Sequence, residues 1–301
     1  MANLLVDERD VKFVLYEQLD IEQLSNTDKY AEYSKDMFDM VLEQAWKLAE
    51  NELAPANRQG DLEGCVYQDG VVRVPESYHR AYDMYCQGGW LAIADQVDAG
   101  GQGFPVAISL AAIESFGAAN WSLIMFPGLT HGAARLVEIF GTEQQKNLFM
   151  DKLYSGKWCG TMCLTEPQAG TSVGDVRTQA TPIEGSDNEY SIKGDKLFIT
   201  AGDQDLTENI VHLVLARVPG DPAGTKGISL FAVPKIRFDA DGSLGESNDV
   251  AITGIEHKMG IHGSPTCAMA FGDNDNCRGY LIGERSKGII YMFQMMNEAR
   301  L

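Results

Sequence analysis

Apolar positions recur at helical spacing through the first half of the chain. Val11, Val14, Leu15 and Leu19 fall on one helical face. Ser34 stands at a capping position ahead of Met37, Val41, Ala45 and Leu48, so the spacing predicts a helix that stops near Pro55. Glu76 to Cys86 reads as a shorter helix closed by Gly88-Gly89, and Gly100 to Gly103 as a loop. Pro105 suits the first turn of an alanine-rich helix through Ser115. Thr142 and Gln145 have capping-box spacing and open a helix to about Tyr154.

After Gly156 the pattern changes. Short β-rich runs span 158–164, 190–192, 196–200, 210–218 and 227–233, with turn signals at Asp187-Asn188, Gly194-Asp195 and Pro219-Gly220. These predict an antiparallel, barrel-like β domain. From Gly283 the helical period returns, with Ile289, Ile290, Phe293, Met295 and Met296 clustered on one side. The predicted fold is α+β. An N-terminal helical domain covers 1–156, with an extended segment over 1–33; a middle β domain covers 157–282, and 283–301 begins a further helical domain. The pattern at Leu301 has no cap and no stop signal, so a C-terminally truncated chain is expected.

At 301 residues the chain can hold about two domains with sizeable cores, and its 45% apolar and 22% charged content suits a globular protein. A net charge of −19 argues against nucleic-acid or anionic-membrane partners. It leaves room for a phosphorylated ligand, which needs only one local basic patch. No run reaches the ~18 apolar residues of a membrane span, and residues 1–13 lack the basic and apolar regions of a secretory leader. Cys159 and Cys163 have no second pair and no histidine couple nearby, so no zinc site is expected; scattered thiols point to the cytoplasm.

The chemistry concentrates at Cys163-Leu164-Thr165-Glu166-Pro167-Gln168-Ala169-Gly170-Thr171, an apolar strand that ends in a turn dense with hydroxyls and N–H groups. Pro167 stops the strand, and Ala169-Gly170 lets the backbone approach a ligand. Such a turn can hold an anionic or carbonyl-rich group without a charged side chain. Upstream stand Gly141 to Lys146, Leu153 and Gly156; downstream stand Lys196-Leu197-Phe198-Ile199-Thr200 and His257 to Ser264. In this order and spacing, from about Asp10 to the last residue, the blocks resemble the acyl-CoA dehydrogenase flavoprotein family. They look most like its long-form branch, which includes methylmercaptopropionyl-CoA and extended fatty-acyl-CoA dehydrogenases.

The resemblance implies FAD as cofactor, an acyl-CoA thioester as substrate, an electron-transfer flavoprotein as electron acceptor, and a homo-oligomer (dimer or tetramer) when full length. Carried over by position, Met162, Cys163, Leu164 and Thr165 form the strand end that meets the isoalloxazine edge. Thr171 faces the FAD pyrophosphate and acyl chain; Phe198, Ile199 and Thr200 lie against the flavin, with Phe198 shielding a ring face. Short-chain members have Ser-Asp where this chain has Thr171-Ser172, which leaves Ser172 to brace the turn through local hydrogen bonds. Asn297 and Arg300 match positions lining the CoA and acyl site. Some members carry the catalytic Glu where this chain has Ala299, and Glu298 is rotated about 100° from it around a helix. The base is therefore expected beyond residue 301, with Glu298 a minor candidate and the piece inactive alone. Alternatives are an acyl-CoA oxidase using dioxygen and a DNA-associated alkylation-response flavoprotein of the same fold. His131 reads as structural, His257 and His262 as poor metal ligands, and Asp203 to Glu208 as a solvated turn.

Overall fold

In the computed structural model, which describes residues 5–239 and 241–300, helices begin where their capping residues allow. Asp7 accepts from the Arg9 and Asp10 N–H groups and starts α1 (Glu8–Lys12). The chain then widens into a π-helical turn over Phe13–Gln18, which shifts the phase of the side chains. Leu15 is buried while Val14 and Leu19 are exposed, so the single apolar face expected of them is broken.

Ser34 Oγ accepts from Met37 N–H and opens α2 (Lys35–Leu48). Pro55 does not end the helical run. A π-turn over Ala49–Leu53, closed by Ala54 N–H to Ala49 O, carries the chain into α3 (Ala54–Glu63) with Pro55 in its first turn. The π-turn falls where the missing proline donor would otherwise interrupt the helical ladder. A hairpin of β1 (Val66–Gln68) and β2 (Val71–Arg73) leads to α4 (Glu76–Gln87).

The largest departure from the sequence reading is α5 (Val106–Phe140), which runs far past Ser115. Asn120 leaves helical geometry at φ −157°, and its Oδ1 accepts from Leu123 N–H at 3.1 Å, capping a second segment inside the helix. Gly117, Pro127, Gly128 and Gly132 look like breakers, but burial outweighs local propensity here. By length and composition α5 could cross a membrane, yet 61% of its most apolar stretch is buried within this fold, as befits a core helix. Thr142 and Gln145 make both bonds of the capping box that opens α6 (Glu143–Tyr154).

The β domain comprises β3 (Trp158–Cys163), β4 (Gln179–Pro182), β5 (Glu189–Thr200), β6 (Asn209–Arg217), β7 (Ile228–Pro234), a side hairpin of β8 (Ile236–Phe238) and β9 (Leu244–Ser247), then β10 (Val250–Ile255), β11 (Thr266–Phe271) and β12 (Arg278–Leu281). Neighbours β5, β12, β7 and β6 are closed into a ring by β4, which pairs with β5 and bridges β6 at Gln179 and Arg217. Pairing is antiparallel except where β3 and β4 meet β6, both parallel to it. The turn expected at Gly194-Asp195 is absent, because β5 runs straight through. Gly194 adopts φ 152°, and a Cβ there would lie 2.6 Å from Thr178 Oγ1. The glycine lets β5 leave β4 and β12 and continue along β11.

β6 is buried on both faces: Leu213 and Leu215 pack toward Trp158 and Met295, while Val214 and Ala216 pack inside the barrel with Phe231 and Ile192. The last helix, α7 (Gly288–Glu298), buries Gly288, Tyr291, Met292 and Met295. Ile290 and Phe293 are exposed, so the predicted one-sided cluster is divided across the helix. The two domains meet closely at Gly160, whose N–H donates to Thr130 Oγ1 at 3.0 Å. A Cβ on Gly160 would stand 2.4 Å from Ala133 Cβ. Gly160→Val should destabilise the fold by about 1–3 kcal/mol through overpacking; an unchanged urea midpoint would refute this account of the joint.

Candidate functional site

β3 and β4 share one edge of β6, pairing with it at 209–214 and at 217. The connecting segment, 164–178, must therefore loop away from that edge and return to it. Its first turn is closed at both ends: Glu166 N–H donates to Ala169 O and Ala169 N–H to Glu166 O, each at 3.0 Å. What holds the loop is the Glu166 carboxylate, folded inward. Its Oε1 accepts from Thr178 N (3.0 Å), Thr178 Oγ1 (2.6 Å) and Lys196 Nζ (2.8 Å), and its Oε2 from Arg177 N and Gln168 Nε2 (both 2.6 Å).

Lys196 has no exposed side-chain surface, and its ammonium also donates to Leu164 O at 3.2 Å and Leu215 O at 2.8 Å. All three N–H donors are matched. Burial alone would raise the Glu166 carboxyl, but Lys196 and the N–H donors pull it down to about 2. Burial likewise lowers the Lys196 ammonium while Glu166 holds it up, and the geometry is that of an ion pair. Sequence reasoning passed over both residues; the available signal was a Glu and a Lys set within otherwise apolar motif blocks.

Two residues beyond Lys196 the strand is irregular. Ile199 pairs with Cys267 and Lys196 with Met269, which leaves Leu197 and Phe198 opposite Ala268 alone. This is a β-bulge, a device that re-aims a side chain. Phe198 sits at φ 60°, unusual for a bulky residue, with 56% of its surface exposed. Leu197 N–H donates to Thr165 O at 2.9 Å, so the bulge is tied directly to the end of β3. The strain and the exposed ring thus occur beside the strand-end turn.

The other candidates fall around this pair. Met162, Leu164 and Thr165 are half-buried; Cys163 faces the barrel interior, where burial pushes its thiol up to about 12, so only its backbone is free for a ligand. A Cβ on Gly170 would lie 3.8 Å from Thr165 Cγ2, and Thr171 follows it, exposed, on the same turn. Ser172 Oγ donates to Asp175 Oδ2 at 2.6 Å, so a carboxylate does brace this turn, supplied from three residues on. Ile199 is buried and Thr200 half-buried opposite Thr266. On the far flank of the loop lies a groove of about 860 Å³ lined by Gln168, Arg177, Arg217 and the 218–224 loop.

Asn297 and Arg300 bond to each other at the end of α7, with Nη1 to Oδ1 at 3.1 Å, and α7 packs on α5 and β7. Glu298 turns toward α5, facing His131 at 3.4 Å and Arg135 at 3.9 Å. The acidic loop at 203–208 is a solvated turn only in part, since Asp205 and Glu208 are exposed but Asp203 and Gln204 are not. Asp203 is buried, paired with Lys235 and accepting from Val72 N–H; Asp205 accepts from Val74 N–H at 3.0 Å. The carboxylates cap backbone donors of the β2 segment, which a sequence pattern does not reveal. His262 lies between Asp61, at 3.0 Å, and Lys258 O, at 3.0 Å, with the His257 ring 6.1 Å away.

Comparison with known proteins adds a family pattern to this geometry. Residues 36–157 match the acyl-CoA dehydrogenase N-terminal domain, and residues 161–274 match the acyl-CoA dehydrogenase middle domain. The chain is 43% identical to a butyryl-CoA dehydrogenase of Syntrophomonas wolfei over 99% of its own length and 50% of the relative's. It is 40% identical to a 3-methylmercaptopropionyl-CoA dehydrogenase of Ruegeria pomeroyi, over 97% of this chain and 49% of that one. It thus spans about half the length of these relatives. A structure of a Bacillus anthracis acyl-CoA dehydrogenase complexed with FAD matches 89% of this chain and 41% of that one, with TM-score 0.68 at 23% identity.

The ion pair yields two expectations. Lys196→Met should cost about 3–5 kcal/mol, because it strands a buried carboxylate, whereas Glu166→Gln with Lys196→Met should recover part of the loss. Chemical denaturation of wild type and the two variants measures this; a mild single variant would disprove the pairing. Because the Glu166 carboxyl is depressed from 4.5 to about 2, its contribution is present above pH 4.5 and lost as pH falls through about 2. Glu166→Gln should flatten that part of the acid-stability profile.

Proposed function

Because the chain belongs to the acyl-CoA dehydrogenase family, we propose that the full-length protein is an FAD-dependent acyl-CoA dehydrogenase. It would convert an acyl-CoA thioester to the trans-2-enoyl-CoA and pass electrons to an electron-transfer flavoprotein. The observation that carries this reading is the bulge that presents Phe198 beside Thr165.

The donor set suits a flavin. An exposed aromatic ring offers a stacking face, and the Thr165 hydroxyl with the neighbouring backbone offers neutral, fixed hydrogen-bonding groups toward a carbonyl-rich edge. When bound, FAD supplies the hydride acceptor. The chain's own part is to orient: Met162 to Thr165 and Phe198 to Thr200 hold the ring system, and Thr171 and the 168–175 turn face its phosphates, with Arg177 beside that turn in a groove that Asp175 and Asp221 also line. Asn297 and Arg300 would approach the thioester from α7. No side chain at Ala299 can take a proton, and both oxygens of Glu298 face α5 or Gln294, so we place the catalytic base outside residues 1–301. The six cysteines are free thiols, in keeping with a reducing, cytoplasmic location.

Full-length protein should bind FAD non-covalently, and anaerobic addition of butyryl-CoA or 3-methylmercaptopropionyl-CoA should bleach the flavin absorbance. Failure to take up FAD at all would sink the proposal. Rapid reoxidation by dioxygen without an electron-transfer flavoprotein would make the protein an oxidase instead. Thr165→Val should weaken FAD binding by about 1 kcal/mol, roughly fivefold in Kd.

A further inference from the structure

α5, α6, α7 and the loop after Trp90–Ala92 converge on a group of charges outside the strand-end turn. His131, Arg135 and Glu138 share one face of α5 at i, i+4 and i+7. Asp95 comes from the loop, Tyr154 from the end of α6 and Glu298 from the end of α7. His131 stands between two carboxylates: its Nε2 is 2.8 Å from Asp95 Oδ2, and its Nδ1 is 3.4 Å from Glu298 Oε2. Only an imidazolium carries hydrogen on both nitrogens, so only that form faces both carboxylates as a donor.

The rest of the cluster makes this form matter. Glu298 Oε1 accepts from Gln294 Nε2 at 2.9 Å and lies 3.9 Å from Arg135 Nε. Glu298 Oε2 is sealed from solvent without a regular hydrogen bond, and the His131 ring is its ionic neighbour. Arg135 also serves Glu138 and Asp95, and Tyr154 donates to Glu138 at 2.7 Å. With His131 charged, two cations meet three carboxylates; with His131 neutral, Arg135 alone would face all three. A buried, uncompensated carboxylate is costly, and the outermost element, the last turn of α7, can relieve it by moving away.

We propose that His131, bridging Asp95 and Glu298, is a positioning residue that holds the 297–300 turn of α7 against α5. The consequence for the substrate rests on the acyl-CoA reading above, since Asn297 and Arg300 belong to that turn. Burial lowers the His131 pKa, but the bonds and charges of Asp95 and Glu298 outweigh it and raise it from 6.5 to about 9. A raised histidine stabilises fully below its ordinary value, and that contribution is lost as pH rises through about 9. The clamp is closed at neutral pH and opens in alkali.

The test uses full-length holoprotein as wild type, His131→Gln, and His131→Gln combined with Glu298→Gln. The dissociation constant for crotonyl-CoA, an enoyl-CoA that needs no turnover, is measured from pH 7 to 10 beside the thermal midpoint. At pH 7.5 His131→Gln should bind about tenfold more weakly, and its constant should stay flat with pH. The wild-type constant should rise toward it through pH 9, and the double variant should regain most of the affinity because the α7 turn then carries no unpaired carboxylate and Arg135 meets only Asp95 and Glu138. Parallel pH profiles for wild type and His131→Gln would overturn the proposal even if the thermal midpoint fell, since a merely structural histidine gives that result. If wild type binds no crotonyl-CoA, the dehydrogenase reading fails and the midpoints decide the clamp. A gap between wild type and His131→Gln at pH 7.5 that closes by pH 10 supports it, and a constant gap overturns it.

Discussion

The Glu166–Lys196 ion pair is the constraint on which the candidate site depends. Both groups are nearly or fully out of water, at 2% and 0% side-chain exposure, and each has its hydrogen-bonding capacity filled. Satisfying a buried ammonium and a buried carboxylate requires several strands in fixed relation. Lys196 on β5 reaches the end of β3 through Leu164 O and the middle of β6 through Leu215 O, while Glu166 reaches the segment before β4. A buried pair is weak evidence of added stability, but its partners cannot be met in another arrangement at little cost. The loop between β3 and β4 is held to one conformation by polar groups on its inner side, which leaves its outer side available to a ligand.

β5 organises the site through three positions in succession. Gly194 permits the bend that transfers the strand from β4 and β12 to β11; Lys196 anchors the loop from below; Phe198 is turned outward by the bulge. The strained φ of Phe198 is tolerated because its neighbours are over-determined: Leu197 N–H is fixed to Thr165 O and Ile199 is buried in the barrel core. Rigid surroundings and an exposed strained residue together make a preorganised contact surface, which is what orienting a planar cofactor demands.

The helical domain contributes through α5, whose two segments serve different neighbours. As far as Phe126 it packs in the helical core with α2, α3 and α4; beyond it, Thr130 and Ala133 meet β3 at Gly160, and Gly132 lies under Met295 of α7. The same half carries His131 and Arg135 toward Glu298. One helix therefore sets the distance of both the strand that ends in the site and the helix whose final turn carries Asn297 and Arg300.

Much was legible in the sequence by itself. Caps at Ser34 and Thr142, the change of period at Gly156 and the blocks around Thr165 and Phe198 are local signals, because each rests on residues a few positions apart. They determined the order of the helical and β domains and most helix starts, and they pointed to the candidate site. What only the tertiary structure decided depends on partners far along the chain. The continuity of α5 through Pro127, the passage of the helix at Pro55 and the run of β5 through Gly194 contradict local breaker signals, since burial and cross-strand pairing outweigh propensity. The inward turn of Glu166, the capping of the β2 segment by Asp203 and the pairing of Glu298 with His131 follow the same rule. A charged residue's partner is set by packing, and the long stretch of chain between His131 and Glu298 carries no pattern that announces the contact.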